Sequence, residues 1–309
     1  MSIRFFLIYC IIHLSQISIS AQEVELNQLV CKSELYYKND TLFTGHFVTK
    51  LRDCNKSFVF QEGNIVNGKM EGKVIFKTSN AWFLGEGSYV NGKKEGFWKD
   101  VSAKHRECSE PYYQLSNGIY VLGKKEGLWK ENVESSEYQE GNYKNNQREG
   151  GWKFYGYYNA KKNSYKKSYE GKYVNGKKVG EWKQWRSDGR LSEIKNYEND
   201  SLEGNYTGYE YSKKSIIHSR FIQEIGQFKN NKKVGKWKVY YWETGNLAEE
   251  GEYINGKKDM VWVHYKPDGK TLEYKEFYDE GVLIKNIVYS KNSKGEVVEF
   301  EHAKNIKTK

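Results

Sequence analysis

The sequence predicts an all-β protein, an elongated single-layer antiparallel β-meander built from repeated hairpins. The segments EGSYVNGKKEGFW (86–98), EGKYVNGKKVGEW (170–182) and EGEYINGKKDMVW (250–262) are near copies of one another. Such internal repetition is the signature of a repeat architecture. Each copy pairs a two-residue turn with alternating polar and aromatic residues, as strands do. The aromatic content of 16% also argues against a disordered chain.

The repeat has a double period. The glycine that follows each NGKK-like turn recurs along most of the chain, with a methionine in the last of these positions: Gly72, Gly96, Gly127, Gly150, Gly180, Gly204, Gly235 and Met260. The intervals alternate between 23–25 and 30–31 residues, so the true unit is a pair of copies 53 to 55 residues long. A ninth, degraded copy lies near FYDEGVLIK (277–285).

One copy is expected to form a hairpin and a return turn. In the copy at 170–194, Asn175 and Gly176 form the turn because both residues tolerate positive φ. The strand 181–185 follows, and 187–190 turns the chain back. About eight copies then give roughly sixteen strands, stabilised by contacts between neighbours.

Aromatic residues recur in two slots of the repeat. One slot holds a tryptophan in most copies: Trp98, Trp129, Trp152, Trp182, Trp237 and Trp262. The facing slot across the turn holds another ring: Tyr89, Tyr143, Tyr173, Phe228 and Tyr253. A glycine just before this second slot leaves room for a neighbouring ring over the backbone. The ladder is interpreted as the core of the sheet; the alternative is a platform on which sugars or bases stack.

The N-terminus is predicted to be a signal peptide over residues 1–20, because one arginine precedes a short apolar run and small residues. A membrane anchor is the alternative, although the run is too short to span a bilayer. Export places the mature chain in the periplasm, at the envelope or outside the cell. No later segment is expected to cross a membrane.

Export also means an oxidising compartment, where disulfides form. Residues 21–61 form an N-terminal segment in which Cys31 and Cys54 are predicted to form a disulfide, which leaves Cys108 unpaired. The repeat array is assigned to residues 62–289, and a basic tail to 290–309. The roles of Cys108 and of the tail stay open.

The sequence contains no recognisable catalytic or metal-binding constellation, so a non-enzymatic protein without a cofactor is expected. The histidines lie in unrelated contexts, and no metal-ligand spacing links them to the cysteines. One glutamate per copy precedes the glycine of the second slot, and a residue present in every copy is more often structural. A glycosidase with paired carboxylates is the alternative from the enzyme class.

Two surfaces are candidates for binding. If all copies stack in register, the lysines of the hairpin turns form a basic edge: Lys93, Lys94, Lys124, Lys125, Lys177, Lys178, Lys232, Lys233, Lys257 and Lys258. The edge suits an anionic partner such as lipid headgroups or an acidic polysaccharide, or it serves solubility alone. The longer copies contain tyrosine-rich inserts, which suit adaptable recognition: Tyr112, Tyr113, Tyr157, Tyr158, Tyr165, Tyr209 and Tyr211.

The pattern G-x-Y-x-N-G-K-K-x-G-x-W resembles the bacterial variant of the MORN repeat, and the resemblance covers most of the mature chain. It implies a β-meander with a binding or scaffolding role, and relatives of this kind are often filed as antitoxins. Met260, the long alternate copies and the cysteine-bearing segment depart from the pattern. Those departures leave the partner open.

The leading hypothesis is an exported protein that binds or scaffolds another envelope or secreted macromolecule. An antitoxin or immunity protein that blocks one toxin is an alternative. Binding of anionic lipid or polysaccharide through the lysines is another. The net charge of +10 would suit nucleic acid, but export disfavours that partner. The sequence does not reveal the partner's identity or the oligomeric state.

Overall fold

The computed structural model describes residues 23–53, 56–104, 112–134, 137–159, 164–211, 220–295 and 297–303. Within these ranges the chain is almost entirely β-strand, apart from one turn of 3-10 helix at Leu26–Gln28. Strands that follow one another in the chain pair antiparallel over most of its length. The predicted fold class, an all-β meander of repeated hairpins, is confirmed. No helix in the described ranges is long and apolar enough to cross a membrane.

The chain divides into two compact units, with the boundary at the first residue of strand β9 (Lys93–Lys104): the N-terminal unit extends to Lys93, and the C-terminal unit begins at Lys94 and contains the rest of that strand. The N-terminal unit contains eight strands in its described residues: β1 (Glu23–Glu25), β2 (Val30–Lys32), β3 (Leu35–Lys38), β4 (Thr41–Leu42), β5 (Gly45–Asp53), β6 (Lys56–Val66), β7 (Lys69–Lys77) and β8 (Phe83–Val90). Strands β5 to β8 form an antiparallel meander, β1 pairs parallel with β5, and β2 to β4 form a small separate sheet. The core of this unit includes the fully buried Phe47, Ile65 and Val74.

The cysteine and signal-peptide predictions stay untested. Cys31 is exposed in β2, whereas Cys54, Cys108 and residues 1–20 lie outside the described ranges. The predicted disulfide between Cys31 and Cys54 and the predicted signal peptide therefore remain predictions.

The C-terminal unit is a meander in which each strand pairs antiparallel with the next. Its strands are β9 (Lys93–Lys104), β10 (Tyr112–Val121), β11 (Lys124–Glu134), β12 (Glu137–Lys144), β13 (Gln147–Asn159), β14 (Ser164–Val174), β15 (Lys177–Trp185), β16 (Leu191–Glu198), β17 (Ser201–Tyr211), β18 (Arg220–Lys229), β19 (Lys232–Tyr240), β20 (Leu247–Ile254), β21 (Lys257–Tyr265), β22 (Leu272–Asp279), β23 (Val282–Lys291) and β24 (Val297–Ala303). The degraded ninth copy forms the β22–β23 hairpin. The meander continues into the segment predicted as a basic tail, because β24 lies there.

Two-residue turns join alternate strands, and both residues of each turn have positive φ, as a type I′ turn requires. These pairs in the C-terminal unit are Leu122–Gly123, Asn145–Asn146, Asn175–Gly176, Asn199–Asp200, Asn230–Asn231, Asn255–Gly256 and Glu280–Gly281. Asparagine and glycine dominate them because both tolerate this backbone region.

A bulge follows each of these turns and explains the paired glycines of the repeat. In the β14–β15 hairpin, Glu170 pairs with Lys183 and Lys172 with Val179, so that Gly171 faces residues 180–182. Gly180 adopts a φ of 65° there. The ring of Trp182 is thereby laid over Gly171, where a Cβ would lie 2.1 Å from a ring atom. The same arrangement recurs in four other hairpins: Gly118 with Trp129, Gly141 with Trp152, Gly226 with Trp237 and Gly251 with Trp262.

The rings form a row, here called the aromatic ladder, in two runs of touching rings, from Trp98 to Tyr197 and from Tyr206 to Trp262. All six predicted tryptophans are buried: Trp98, Trp129, Trp152, Trp182, Trp237 and Trp262. From Trp98 to Tyr197, successive Trp and Tyr rings meet edge to face with centroids 4.9–6.2 Å apart. Tyr206 occupies the tryptophan slot of its copy and stacks on Trp237, with ring centroids 5.5 Å apart. The sequence pattern did not identify Tyr206 as a member of the ladder. These contacts support the core interpretation of the ladder.

Candidate functional site

The two-residue turns of the C-terminal unit lie along one edge of its sheet, here called the lysine edge. Backbone hydrogen bonds join successive turns there: Gly123 N donates to Lys94 O, Gly176 N to Arg148 O and Gly256 N to Lys233 O, each at 2.9 Å. The predicted lysines of this unit therefore do share an edge.

Half of the predicted lysines turn inward over the aromatic ladder. In each Lys-Lys pair, the second side chain places Nζ 3.8–4.6 Å from the centroid of the tryptophan on its own strand: Lys94, Lys125, Lys178, Lys233 and Lys258. Most of them also meet a carboxylate, as Lys94 does with Asp100 at 2.6 Å and Lys233 with Glu224 at 3.0 Å. The first lysine of each pair is exposed: Lys93, Lys124, Lys177, Lys232 and Lys257. The outward row thus has five lysines rather than ten.

Carboxylates also lie among the outward lysines. Glu95 accepts a hydrogen bond from the backbone N–H of Leu122 at 2.8 Å, and Glu126 accepts one from Asn145 at 2.7 Å. Glu149 does the same for Asn175 at 2.9 Å. These acids cap the next turn, so the lysine edge carries charges of both signs.

We expect the two lysines of one pair to differ in their effect on stability. Lys233→Gln removes the cation above the Trp237 ring and the ion-pair partner of Glu224. The free energy of unfolding should therefore fall by about 1–2 kcal/mol. Lys232→Gln should change stability by less than about 0.5 kcal/mol, because that side chain is exposed. Urea denaturation followed by circular dichroism measures both. Equal effects of the two substitutions would contradict the inward role of Lys233.

The carboxylates and the buried histidine of the repeat have structural partners. Buried Glu131 contacts Lys125 and accepts from Gln139 Nε2 at 2.7 Å and from Tyr143 Oη at 3.2 Å. His264 lies between two carboxylates, with Nδ1 3.3 Å from Glu249 and Nε2 3.0 Å from Glu276. In the described residues, no group of three or more His, Cys, Asp or Glu side chains could hold a metal ion.

The glutamates that precede the ladder glycines bind tyrosines or lysines. Glu140 accepts from Tyr138 Oη at 2.5 Å and from Tyr155 Oη at 3.1 Å. These hydrogen bonds lower the pKa of Glu140, while burial and the Glu140 charge raise the pKa of Tyr155 to about 12. Glu250 accepts from Tyr265 Oη at 2.9 Å. A structural role for one glutamate per copy accounts for these contacts.

The described parts of the inserts lie at the opposite edge of the C-terminal unit, here called the insert edge, together with the return turns. They extend the β9–β10, β13–β14 and β17–β18 hairpins. The side chains of Tyr112, Tyr157 and Tyr158 lie outside the described part of the chain. Tyr165 is exposed and its ring lies 5.7 Å from that of Tyr138. Tyr113, Tyr209 and Tyr211 are half-buried.

A cleft of about 350 Å³ opens on the insert edge beside the third insert. We call it the Trp242 cleft, and its lining residues are Arg186, Glu210, Tyr211, Gln223 and Trp242. Three sequence-distant segments build it: the return turn after β15, the outer ends of β17 and β18, and the return turn after β19. Of the four predicted tyrosines whose side chains the structure describes, Tyr211 lines it.

Three side chains of the Trp242 cleft, those of Arg186, Glu210 and Tyr211, are held in place by their neighbours. Arg186 Nη2 donates to Glu210 Oε2 at 2.9 Å and to the carbonyl oxygen of Tyr209 at 3.1 Å. Tyr211 Oη donates to the carbonyl oxygen of Leu191 at 2.9 Å, and the guanidinium of Arg190 lies 4.9 Å from the Tyr211 ring. Trp242 remains 39% exposed. The cleft therefore combines an exposed ring with an oriented donor and an oriented acceptor.

Two wider depressions lie over ladder glycines. One, of about 540 Å³, adjoins Gly226, and the other, of about 410 Å³, adjoins Gly251; Lys236 lines both. Unlike the Trp242 cleft, they contain no exposed aromatic ring facing a fixed ion pair.

Sequence reasoning missed four of the five cleft residues. A signal was present, because the return turn at 241–245 carries a tryptophan where the equivalent turns have Ser187 and Pro267. Arg186, Glu210 and Gln223 have no motif, and only the strand order brings them together.

No family model matches this chain, and no curated protein matches it. The resemblance to the bacterial MORN variant therefore stays a prediction.

Proposed function

We propose that the chain is an exported, non-enzymatic binding module that holds another envelope or secreted macromolecule through its insert edge. The observation that carries the proposal is the Trp242 cleft, where an exposed ring and fixed polar groups converge on the edge that bears the tyrosine-rich inserts. Export rests on the N-terminal sequence alone. A structural role for the repeated glutamates and for His264 supports the non-enzymatic part.

The lysine edge is the less suitable recognition surface. Five of its ten predicted lysines cover the aromatic ladder, and glutamates cap its turns. An anionic lipid or polysaccharide would meet alternating charges there rather than a uniform positive row. The five outward lysines nevertheless keep this surface as a second candidate, and one experiment separates the two.

The test measures retention of the mature chain on washed envelope material from its own organism. The insert-edge variant carries Tyr165→Ser, Ile222→Ser and Trp242→Ser, which replace exposed side chains. The matched lysine-edge variant carries glutamine at 93, 124, 177, 232 and 257. We expect retention to survive in the lysine-edge variant and to fall at least about tenfold in the insert-edge variant, because exposed aromatic anchors dominate binding energy.

The reverse pattern, together with a loss of retention in moderate salt, would assign function to the lysine edge instead. Absence of retention of the wild-type chain on any envelope fraction would contradict the proposed function. Melting temperatures of both variants serve as the control for folding.

A further inference from the structure

We infer that the Trp242 cleft binds one uncharged pyranose residue of a polysaccharide. The inference deepens the proposed function by naming the ligand class, and it rests on that function. Its grounds are the lining chemistry of the cleft, its charge balance, its size and its fixed geometry.

The lining chemistry matches a sugar ring. One face of a pyranose is a patch of C–H bonds that packs on an aromatic ring, and Trp242 offers such a ring at 39% exposure. Sugar hydroxyls both donate and accept hydrogen bonds. Arg186 supplies only donors, Glu210 only acceptors, and Gln223 both. A hydroxyl-rich ring can therefore hydrogen-bond to donors and acceptors alike in the cleft, whereas a purely apolar ligand would cover these polar groups without adding a hydrogen bond to any of them.

The charge balance points to an uncharged sugar. The guanidinium of Arg186 already lies against the Glu210 carboxylate at 2.9 Å, so the pair contributes little net charge. A uronate or a phosphate that approached Arg186 would also meet Glu210. An anion would therefore bind Arg186 only if the Glu210 carboxylate moved away or took up a proton from solvent, whereas a neutral hydroxyl can accept from Arg186 and donate to Glu210.

The size and openness of the Trp242 cleft suit an internal sugar unit of a longer polysaccharide. A volume of about 350 Å³ is at the lower end of the range for small-molecule sites, enough for a single ring with its substituents. Gln223 and Trp242 are exposed at its rim. The polysaccharide can therefore pass through the cleft and continue on both sides of the bound sugar unit.

The cleft is also organised before a ligand arrives. Arg186 is fixed by Glu210 and by the Tyr209 carbonyl, and its own backbone N–H donates to Arg190 O at 2.8 Å across the return turn. The Tyr211 ring is anchored through its hydroxyl. Fixed side chains lose little conformational entropy on binding, which favours selective recognition of one ring shape.

Isothermal titration calorimetry with defined glycans tests the inference on the full mature chain. The probes are neutral tetrasaccharides of β-1,4-glucose, α-1,4-glucose, β-1,4-N-acetylglucosamine, β-1,4-mannose and β-1,4-galactose, with tetragalacturonate as the acidic probe. Vesicles of phosphatidylcholine and phosphatidylglycerol supply the lipid arm. We expect at least one neutral tetrasaccharide to bind more tightly than tetragalacturonate and the vesicles.

Two variants locate the binding. Trp242→Ala should weaken it at least about tenfold, because a tryptophan anchor is lost. The matched control Trp82→Ala, which removes a tryptophan that is 74% exposed in the N-terminal unit, should leave it unchanged. Glu210→Gln should weaken binding of the neutral glycan at least about threefold. It should strengthen binding of tetragalacturonate, because no carboxylate then offsets the positive charge of Arg186.

Three outcomes would overturn the inference: no neutral tetrasaccharide binds, binding is unaltered in Trp242→Ala, or tetragalacturonate binds best to the wild-type chain. If envelope retention still depends on the insert edge in any of these cases, the proposed function stands and only the neutral sugar is rejected. If retention is absent as well, both fail.

Discussion

Gly171→Ala is expected to destabilise the C-terminal unit by about 3 kcal/mol or more, at the upper end of overpacking effects. A Cβ on Gly171 would lie 2.1 Å from Cδ2 of Trp182 and 2.3 Å from its Cε2. The indole cannot give way, because Tyr173 and Tyr197 flank it with ring centroids 5.1 and 6.1 Å away. Urea denaturation followed by circular dichroism measures the loss.

Two neighbouring glycines supply matched controls for Gly171→Ala. A Cβ on Gly151 would meet nothing within 4 Å, so Gly151→Ala should be neutral within about 0.5 kcal/mol. Gly180 also faces open space but has a φ of 65°, so its substitution by alanine should cost about 1–2 kcal/mol of backbone strain. If all three substitutions had equal effects, close packing of the ring on Gly171 would be ruled out as the cause.

Trp152→Ala should destabilise the C-terminal unit by about 3–5 kcal/mol, the usual range for a buried tryptophan. The ring is 1% exposed and contacts Tyr143, Phe154 and Tyr173 at centroid distances of 5.1 to 6.1 Å. Its Nε1 also donates to the carbonyl oxygen of Asn142 at 3.0 Å. Because repeats depend on their neighbours, hydrogen exchange should accelerate first in β12 to β15.

Trp82→Ala is the control for Trp152→Ala, because Trp82 is 74% exposed. It should shift stability by less than about 0.5 kcal/mol. An unchanged melting curve for Trp152→Ala, combined with lost binding, would instead make the ladder a stacking platform for ligands.

The sequence predicted the hairpins and the ladder well because local rules determine them. Asn175 and Gly176 form a turn for backbone reasons that need no tertiary information. Trp152 and Tyr143 meet because the turn sets the strand register, and register brings cross-strand rings together. The double period likewise predicted the alternation of short and extended hairpins.

The direction of the turn lysines could not be predicted from local pattern. Lys232 and Lys233 are identical in type and adjacent, and strand alternation sends one to solvent and the other over Trp237. Which one turns inward depends on the bulge at Gly235, where a single glycine, Gly226, faces three residues. Pattern reasoning treated the turn as uniform and therefore counted both as surface charges. Tyr206 was missed for a related reason, since it replaces tryptophan in a slot identified by tryptophan alone.

The Trp242 cleft was beyond sequence reasoning for a different reason. Arg186, Glu210 and Trp242 lie 24 to 56 residues apart in the chain. Their meeting depends on how a return turn packs against the outer end of an extended hairpin, and no period of the repeat encodes that. The only unusual feature in the sequence was Trp242 itself.

The nearest-neighbour pairing of β9 to β24 has a mechanical consequence. Because the strand ladder of this meander joins each strand to the strands before and after it in the chain, a pulling force on the chain at the ends of the unit would detach hairpins one after another rather than all together. Each pair of copies would release about 180–200 Å of extended chain. The unit would thus lengthen in steps under tension and could rewind hairpin by hairpin, behaving as an extensible tether.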